Sequence, residues 1–418
     1  MTTLLAIVLA LLGTPLFIVI AAMALLSFYL EGFDLTVVFI EMYRIAETPT
    51  LSAIPLFAFT GFVLAESGAA NRLVRFSQAL FGWLPGGLAI MALLICAIFT
   101  AFTGASGMTI VALGGLLYPA LIKDRYPEGF SLGLLTTSGS LGLLFPPSLP
   151  LIIYGIVSET PIDQLFLAGI IPGSLLIGTL ALYSWYQGRI HSEPQPPASF
   201  ADIVHIVRQS IWELLLPVVI IGGIFGGIIA VSEAAALSAL YVLIVEMAIH
   251  REISFRQLPQ IIRDSMVLVG GILIILAAAM AYTNYLIDAE IPTQLLAFIQ
   301  GHISSPWVFL IALNLFLLVV GCMVDMFSAL IVVVPLILPI AHAYGVHPVH
   351  LGIIFLTNLE IGYSTPPVGI NLFIASMRFD KPVLQLYRAS LPFLLILMIS
   401  LIVITYIPSL SLFFIQPN

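Results

Sequence analysis

The feature that most constrains this chain is a series of apolar runs that are nearly free of charge, each about as long as a membrane is thick. A helix needs about 20 mostly apolar residues to cross a bilayer. Only 8% of the 418 residues are charged, against about 25% in soluble domains. The pattern predicts an all-α integral membrane protein and excludes a soluble enzyme, a disordered chain and a transmembrane β-barrel. The predicted spans are residues 2–30, 51–70, 131–154, 165–187, 211–231, 233–249, 265–287, 349–377 and 391–413.

Two further apolar runs, residues 86–122 and 306–343, are too long for one span and are interrupted by small or polar residues. Each interruption predicts a re-entrant helical hairpin, which enters and leaves the membrane on the same side. The first hairpin turns within Thr100–Gly107, where glycines permit unwinding and hydroxyls offer oxygen ligands. The second turns within Gly321–Ser328, where Asp325 is an isolated acid in an apolar run. A carboxylate inside a membrane is a functional candidate by default.

The few charges separate between alternate loops and so predict the topology. Acidic residues dominate the loops at 31–47, 159–163 and 288–290, with Arg44 as the one exception. Because positive charge marks the cytoplasmic side, we expect a cytoplasmic N-terminus, a periplasmic C-terminus and two re-entrant hairpins. The polar stretch 188–208 is predicted to be a cytoplasmic linker. No basic block predicts binding to nucleic acid. The basic clusters are Arg72/Arg75, Lys123/Arg125, Arg189/Arg208, Arg251/Arg256/Arg263 and Arg378/Lys381/Arg388.

An internal repeat relates the two halves of the chain. The sequence Gly-x-x-x-Pro-Pro occurs at residues 142–147 and again at 362–367, after hairpins of similar length and at an offset of 220. The predicted topology gives the two copies opposite orientations. Inverted repeats with discontinuous helices are typical of secondary transporters, which bind substrate and ions near the midplane. Proline frees backbone carbonyls there, and carbonyl and hydroxyl oxygens suit a hard cation such as Na⁺.

The repeat predicts the domain organisation. Residues 1–50 form an N-terminal scaffold span and an outer loop. The first repeat is 51–187, and residues 188–264 supply the linker and further scaffold spans. The second repeat is 265–418. The hairpins and broken helices of the two repeats are 86–122 with 131–154 and 306–343 with 349–377.

Several ordered motifs resemble the large membrane subunit (M subunit, DctM-like) of tripartite ATP-independent periplasmic (TRAP) transporters. The resemblance covers essentially the whole chain, and the order and spacing of the motifs carry it. The motifs are Ile54-Pro-Leu-Phe57 with Gly61, Leu84-Pro-Gly-Gly-Leu88, Gly104-Ala-Ser-Gly-Met-Thr-Ile110, Gly139-Ser-Leu-Gly-Leu-Leu-Phe-Pro-Pro-Ser148, Ala168-Gly-Ile-Ile-Pro-Gly173, Gly222-Gly223, Ser232-Glu-Ala-Ala-Ala236 and Thr365-Pro-Pro-Val-Gly369.

The resemblance implies an elevator-type, Na⁺-coupled importer in the bacterial inner membrane that is not an enzyme and carries no organic cofactor. Its substrate would be a small organic anion, a carboxylate or an acidic sugar, delivered by a periplasmic binding protein. A separate small membrane subunit would complete the complex in the lipid bilayer. Many members have a second serine where this chain has Ala105, so one hydroxyl is missing from the first hairpin tip.

The resemblance also places the ion and substrate sites at the hairpin tips and the Pro-Pro breaks. The residues implied for Na⁺ are Thr103, Gly104, Ser106, Ser138, Gly139, Gly142, Pro146, Asp325, Thr357, Asn358, Gly362, Thr365 and Pro366. The residues implied for the substrate are Ser106, Pro147, Ser148, Asp325, Ser328, Pro367 and Gly369.

Other interpretations stay open at this stage. An ion channel or another secondary transporter would share the apolar pattern. A rhomboid-like intramembrane serine protease would use Ser106, but it needs a histidine base, and the seven histidines lie in loops or span ends. A metal site at the three histidines 342, 347 and 350 lacks an accompanying acid or cysteine. Small residues at the tips can serve packing alone.

Three acidic residues have two interpretations each. Glu233 is expected to cap a helix N-terminus rather than to take part in transport. Asp325 either coordinates an ion or substrate or ties the second tip to its surroundings. Glu360 lies beside the second break, where it contacts either water in the pathway or a neighbouring backbone.

Overall fold

The computed structural model describes residues 13–32, 34–191 and 200–415, together with residue 9, and in this part of the chain every regular element is a helix. Nine of the described helices are long and apolar enough to cross a membrane, or up to ten when a bent pair counts as one span. The chain is therefore a multi-pass membrane protein, as the apolar runs predict. The start of the predicted first span, 2–30, lies outside the described residues, and the described helix of this span covers Leu16–Leu30.

The first half of the described chain contains helices that alternate between long spans and short connecting elements. Those up to the polar linker are α1 (Leu16–Leu30), α2 (Thr36–Arg44), α3 (Ala53–Glu66), α4 (Ala69–Phe81), α5 (Gly87–Thr103), α6 (Ser106–Lys123), α7 (Glu128–Ser138), α8 (Leu149–Val157) and α9 (Ile162–His191).

The second half follows the linker with two long helices and then the second hairpin. Its helices are α10 (Phe200–Phe225), α11 (Val231–Leu243), α12 (Leu258–Asp288), α13 (Ile291–His302), α14 (Pro306–Met323), α15 (Met326–Ala343), α16 (Pro348–Gly362), α17 (Ile370–Phe379), α18 (Val383–Tyr406) and α19 (Ser409–Leu412).

Both predicted hairpins are pairs of helices with a short break at the predicted turn. Helix α5 ends at Thr103 and α6 begins at Ser106, while α14 ends at Met323 and α15 begins at Met326. Whether each pair is re-entrant stays a prediction, because each of α6, α14 and α15 is long enough to cross a membrane by itself.

The two predicted broken helices are confirmed. Between α7 and α8 a 3₁₀ turn, Leu141–Leu144, precedes a cis Pro146–Pro147 bond, and the chain bends by 46° across the break. Between α16 and α17 the cis Pro366–Pro367 bond lies in a non-helical segment.

Helix boundaries repeat at the offset that the sequence predicts. Helices α6 and α15 begin at 106 and 326 and end at 123 and 343, both 220 residues apart. Helices α7 and α16 begin at 128 and 348, again 220 apart. Arg125 and Gly345, at equivalent positions after α6 and α15, both have positive φ. The local structure of the two halves therefore follows one pattern.

The two breaks also pack in the same way against the first helix of their own hairpin. A Cβ on Gly142 would lie 2.1 Å from the carbonyl oxygen of Ala97. A Cβ on Gly362, at the equivalent position, would lie 2.6 Å from the carbonyl carbon of Gly321. Since backbone atoms cannot move aside as a side-chain end can, only glycine fits at these two positions.

Three helices, α2, α4 and α13, were not expected from the apolar runs, and the polar stretch 188–208 is helical up to His191 and again from Phe200. A search for uninterrupted apolar sequence misses such elements because their apolar residues cover only one face. In α4 the face formed by Ala69, Ala70, Leu73 and Val74 is buried, whereas Arg75 is exposed.

One arginine and three glutamates join α4 to the helices that follow the linker. The Arg72 guanidinium lies 2.5 Å from Glu213 of α10, 2.9 Å from Glu246 and 2.6 Å from Glu252. The Glu213 and Glu246 side chains are 3% and 0% exposed, so a single arginine compensates two buried carboxylates. His250 Nε2 lies 3.5 Å from Glu213.

Glu252, at the edge of this cluster, is held ionised. Partial burial alone would raise its pKa, but hydrogen bonds from the Arg72 guanidinium and the Gly68 amide outweigh burial and place the pKa of Glu252 below its ordinary value. The cluster thus joins α4, α10 and the segment after α11 by charge rather than by apolar packing.

We predict that Arg72→Met destabilises the protein by about 3–5 kcal/mol, because it leaves buried carboxylates without a cation. Arg75→Met, one turn away on the exposed face of α4, is the control and should change the unfolding temperature little. Thermal unfolding of the purified protein in detergent measures both. Equal unfolding temperatures for the two variants would contradict this role for Arg72.

We further predict that Gly362→Ala destabilises the protein by about 1–3 kcal/mol, since the added methyl overlaps the Gly321 backbone. Gly178→Ala, in α9, meets nothing within 4 Å and should be neutral or stabilising by up to about 1 kcal/mol. The midpoint of thermal unfolding separates the two expectations. An unchanged midpoint for Gly362→Ala would show that the break relaxes to accept a methyl.

Candidate functional site

Both hairpin tips face one cavity of about 750 Å³. The first tip contributes Gly104 and Ser106, and the second contributes Asp325 and Phe327. Further wall residues come from α3, α6, α12 and α17, and from Leu143 and Tyr363 at the two breaks. Two elements 220 residues apart in sequence therefore meet at a single site.

The first tip is shaped by a glycine that no other residue can replace cheaply. Gly104 has φ +64°, in the left-handed region, and ends α5. A Cβ at this position would also lie 2.6 Å from the Leu149 side chain. The chain turns here, so the free carbonyl end of α5 and the free N–H end of α6 come together at the tip.

The Ser106 hydroxyl connects the first tip to the second break. Its Oγ donates a hydrogen bond of 2.7 Å to Oδ1 of Asn371, in the first turn of α17. Asn371 is 0% exposed, and no hydrogen-bond partner for its Nδ2 lies in the described part of the chain. Sequence reasoning missed Asn371. The available signal was an asparagine in an apolar segment one turn after a Pro-Pro break.

Two side chains hold the second tip in place, Asp325 from the tip itself and Tyr363 from beside the second break. Asp325 Oδ1 accepts hydrogen bonds of 3.1 Å from the amides of Phe327 and Ser328, and so caps α15. The Tyr363 hydroxyl, just before the second break, accepts a hydrogen bond from the Met326 amide. Asp325 is exposed at the cavity wall. One carboxylate oxygen therefore has a structural role, and coordination by Asp325 stays a prediction.

Two buried hydroxyls lie at the helix ends around the first break. Thr103 Oγ1 at the end of α5 has no hydrogen-bond partner among the described residues, and Ser138 Oγ at the end of α7 has only the buried Cys96 thiol beside it. One turn earlier on α5, Thr100 Oγ1 lies 2.8 Å from the Gly139 carbonyl oxygen and 2.6 Å from Thr109 Oγ1. Because the last carbonyls of both helices point this way, the region is rich in oxygen and electronegative.

The second break carries the corresponding arrangement with an amide in place of a hydroxyl. Asn358, equivalent to Ser138, donates through Nδ2 to Asn314 Oδ1 at 2.7 Å and to the Ile354 carbonyl at 2.8 Å. Its Oδ1 has no partner. Asn314 was also missed, although it is a polar residue within the apolar α14. Thr357 donates to the Ile353 carbonyl within its own helix.

The other predicted residues lie behind the cavity or beside it. At the first break Gly139, Gly142, Pro146, Pro147 and Ser148 are all buried, and Ser148 Oγ donates to the Leu143 carbonyl at 2.5 Å. At the second break Gly362 and Gly369 are buried, Thr365 is half-buried, and Pro366 and Pro367 are exposed. Ser328, at the second tip, is buried.

The structure decides between the alternative roles of Glu233, the histidines and Ser106. Glu233 Oε2 accepts the Ala230 amide at 2.8 Å, so it caps α11 as expected. His350 is buried between the Ser411 hydroxyl and the Thr405 carbonyl. In the described part of the chain no group of three or more His, Cys, Asp and Glu side chains could hold a metal ion. The Ser106 hydroxyl donates a hydrogen bond to the amide oxygen of Asn371. An amide oxygen is too weak a base to take the proton of a catalytic serine.

The comparisons with known proteins agree with this architecture. Residues 3–410 match the family described as "Tripartite ATP-independent periplasmic transporter, DctM component". A C4-dicarboxylate TRAP transporter large permease protein of Pseudomonas aeruginosa is 36% identical over 374 residues, which are 89% of this chain and 88% of that protein. An ectoine/5-hydroxyectoine TRAP transporter large permease protein of Ruegeria pomeroyi is 33% identical over 414 residues, 97% of this chain and 96% of that protein.

A solved structure shares the fold at low sequence identity. The crystal structure of the Alcanivorax borkumensis YdaH transporter, described as having an unusual topology, aligns with a TM-score of 0.58 and 14% identity. The alignment covers 90% of this chain and 88% of that one. Taken with the match over nearly the whole sequence, these findings show that the chain belongs to the DctM family, the large permease component of tripartite ATP-independent periplasmic transporters.

Proposed function

We propose that this protein imports a small organic anion across the bacterial inner membrane, driven by Na⁺, by an elevator movement of its two hairpins and broken helices. The observation that carries the proposal is a cavity shared by both hairpin tips, with the Ser106–Asn371 hydrogen bond at its edge joining the first tip to α17. A site built from two repeats of opposite orientation can be exposed to either side by moving the repeats together against the scaffold.

The residues around the breaks fit Na⁺ as a co-transported ion. Thr103 Oγ1 and Asn358 Oδ1 are buried oxygens without a hydrogen-bond donor among the described residues, and Ser138 Oγ has only the weakly donating Cys96 thiol beside it. An unpaired buried oxygen is costly. A cation bound there would satisfy these oxygens together with the carbonyls at the helix ends. The hydroxyl missing at Ala105 leaves the first site to Thr103, Ser138 and the backbone.

An anionic substrate would be held in this cavity by backbone groups, since its described wall contains no Lys or Arg and carries two acids, Glu66 and Asp325. Helices α6, α15 and α17 begin at Ser106, Met326 and Ile370, and all three residues belong to the cavity wall. Free N–H groups and the positive ends of the helix dipoles favour a carboxylate at such a place. The names of the two relatives indicate C4-dicarboxylates and ectoine for those proteins, and both are small enough for a cavity of this size.

The position of the cavity favours an inward-open state. Its wall includes Glu66, at the end of α3, and Leu268, in the early part of α12. Both lie close in sequence to the basic residues Arg72 and Arg263, which the positive-inside rule places in the cytoplasm. In this topology the N-terminus is cytoplasmic and the C-terminus periplasmic.

The partners follow from the three-component family. We infer a small membrane subunit, which completes the complex in the lipid bilayer, and a periplasmic protein that binds the substrate first. Ion and substrate are then coupled because each binds the shared cavity region more tightly when the other is present.

We predict Na⁺-dependent uptake in proteoliposomes that contain this chain, the small subunit and the binding protein. Radiolabelled succinate, a C4-dicarboxylate, and ectoine serve as probes, and an outside-high Na⁺ gradient should drive accumulation of one of them. An uptake rate that is the same with and without the Na⁺ gradient would refute the coupling. Ionic current without the binding protein would instead support a channel.

For the first Na⁺ site we predict that Ser138→Ala raises the Na⁺ concentration for half-maximal uptake about tenfold, which corresponds to about 1.4 kcal/mol of lost binding energy. Thr136→Val is the matched control, because its hydroxyl already donates to the Leu132 carbonyl at 2.7 Å. Rates are measured over a series of Na⁺ concentrations at saturating substrate. Equal shifts in both variants would remove Ser138 from the site.

For the contact across the cavity we predict that Ser106→Ala and Asn371→Ala each reduce the uptake rate, and that the double variant is no worse than the more impaired single one. Residues in direct contact show coupling energies of about 0.5–3 kcal/mol. A double-mutant cycle on the ratio of uptake rate to half-saturating substrate concentration measures this coupling. Strictly additive losses would mean that the hydrogen bond has no part in transport.

A further inference from the structure

A second cavity, of about 360 Å³, lies behind the first break and away from the hairpin tips. Its wall is formed by residues of α5, α9 and α10, together with Phe145 and Pro146 at the break itself. No wall residue belongs also to the cavity between the tips. Transport of an anion through the first cavity therefore does not account for the second.

The wall of this second cavity is almost entirely apolar. Among its described residues Ser174 has the one polar side chain, and none is charged. A polar or ionic ligand would lose its hydrogen bonds to water here without replacing them, which is costly. A hydrocarbon has no such bonds to lose, so the wall favours an apolar ligand.

The cavity lies close to the middle of the membrane. Ser174 and Gly178 occupy the centre of α9, which runs over 30 residues from Ile162 to His191. At 1.5 Å per residue both are at least about 18 Å from either end of the helix. This is further than half of the roughly 30 Å hydrocarbon core. At such a depth the bilayer offers acyl chains, and neither water nor lipid headgroups reach the cavity.

The cavity is continuous with the apolar surface that a multi-pass membrane protein presents to lipid. Three of its wall residues, Ile98, Ser174 and Gly178, are exposed. Beside the opening, Leu182 of α9 and Val218 of α10 are 68% and 67% exposed. A hydrocarbon chain can therefore enter from the bilayer without crossing a polar surface.

The second half of the molecule has a groove at the equivalent place, between α14 and α18. Leu318 and Met398 line this groove, 220 residues after Ile98 and Gly178 of the cavity. In the first half the methionine is replaced by a glycine, and a Cβ there would meet nothing within 4 Å. Pro217 of α10 adds a third side. The groove of the first half is thus a cavity because a side chain is missing and a third helix encloses it.

The size of the cavity selects a single hydrocarbon chain over a helix of a partner protein. One turn of an α-helix is about 5.4 Å long and at least about 10 Å wide, so it occupies more than about 400 Å³. An unbranched acyl chain is much narrower, and it extends from a headgroup at the membrane surface to the midplane. Such a chain also supplies the van der Waals contacts that an unfilled cavity forfeits.

We propose that this cavity binds one acyl chain of a membrane phospholipid, which packs against Pro146 and lies between α10 and the first break. The ligand is recognised by its shape and its lack of polar groups at this depth. The inference goes beyond the proposed function and does not depend on which substrate or ion the protein transports.

Mass spectrometry of the intact protein in detergent tests the binding. The purified chain is titrated with phosphatidylethanolamine, alone and together with the small subunit, and we expect one tightly bound phospholipid per chain in both cases. Gly178→Met introduces the residue of the equivalent position and fills the cavity. It should weaken this binding about tenfold, the effect of losing the burial of about two methylene groups.

A matched control separates filling of the cavity from the mere addition of a methionine. Gly271→Met places the same side chain on the exposed face of α12, where a Cβ also meets nothing within 4 Å, and should bind lipid as the wild type does. Ser174→Leu is the second cavity-filling variant if Gly178→Met does not fold. Equal affinity in the cavity-filling and control variants overturns the proposal. So does tighter binding of a free fatty acid or of detergent, or loss of the lipid when the small subunit is added.

Photo-cross-linking in bilayer nanodiscs locates the bound chain. A phospholipid with a diazirine in the middle of one acyl chain should label residues 94–102 and 174–178 in the wild type and in Gly271→Met, and label them several-fold less in Gly178→Met. Labels spread evenly over all apolar helices, and unchanged by Gly178→Met, would show lipid around the protein but no site. Neither measurement involves uptake, so failure of the proposed function would leave this result unaffected.

Discussion

A membrane interior offers no water to hydrogen-bond with a broken helix, and this constraint organises the transport region. Each break leaves carbonyls and N–H groups that must find partners inside the protein or in its cargo. The breaks at 139–148 and 363–369 therefore pack tightly against their own hairpins, through the glycine contacts of Gly142 and Gly362. In the described part of the chain, buried oxygens on Thr103, Asn358 and Ser364 nevertheless remain without a partner beside the breaks.

Ion pairs, in turn, hold together helices that surround the breaks. Arg72 bonds to three glutamates from segments that lie 141 to 180 residues further along the chain. This cluster joins the amphipathic α4 to α10 by charge, so α4 does not need to be apolar on every side. At the first tip, by contrast, Ser106 makes a neutral hydrogen bond to Asn371 at the start of α17. Ion pairs thus hold the surrounding helices, whereas a contact between uncharged side chains joins the first tip to α17.

The sequence predicts elements whose signal is local. Long apolar runs identified the spans, and small residues or Pro-Pro pairs identified the turns at Gly104 and Asp325 and the breaks at 146–147 and 366–367. Helices α2, α4 and α13 were missed because half of each is polar. Asn371 and Asn314 were missed because their partners, Ser106 and Asn358, lie 265 and 44 residues away. Pairing over such distances has no period or composition by which a single sequence could reveal it.

The two halves are alike in boundaries but unlike in burial, and the difference bears on how they work. Pro146 and Pro147 are buried, whereas Pro366 and Pro367 are exposed. The described first break is enclosed by its neighbours, whereas the second reaches the surface of the chain. The side chains differ as well: Ser140 donates to the Thr137 carbonyl within the first break, while the residue 220 positions later, beside the second break, is an acid, Glu360. Similar helix boundaries therefore carry chemically different residues at corresponding positions, and a corresponding position in the repeat does not by itself assign the same role.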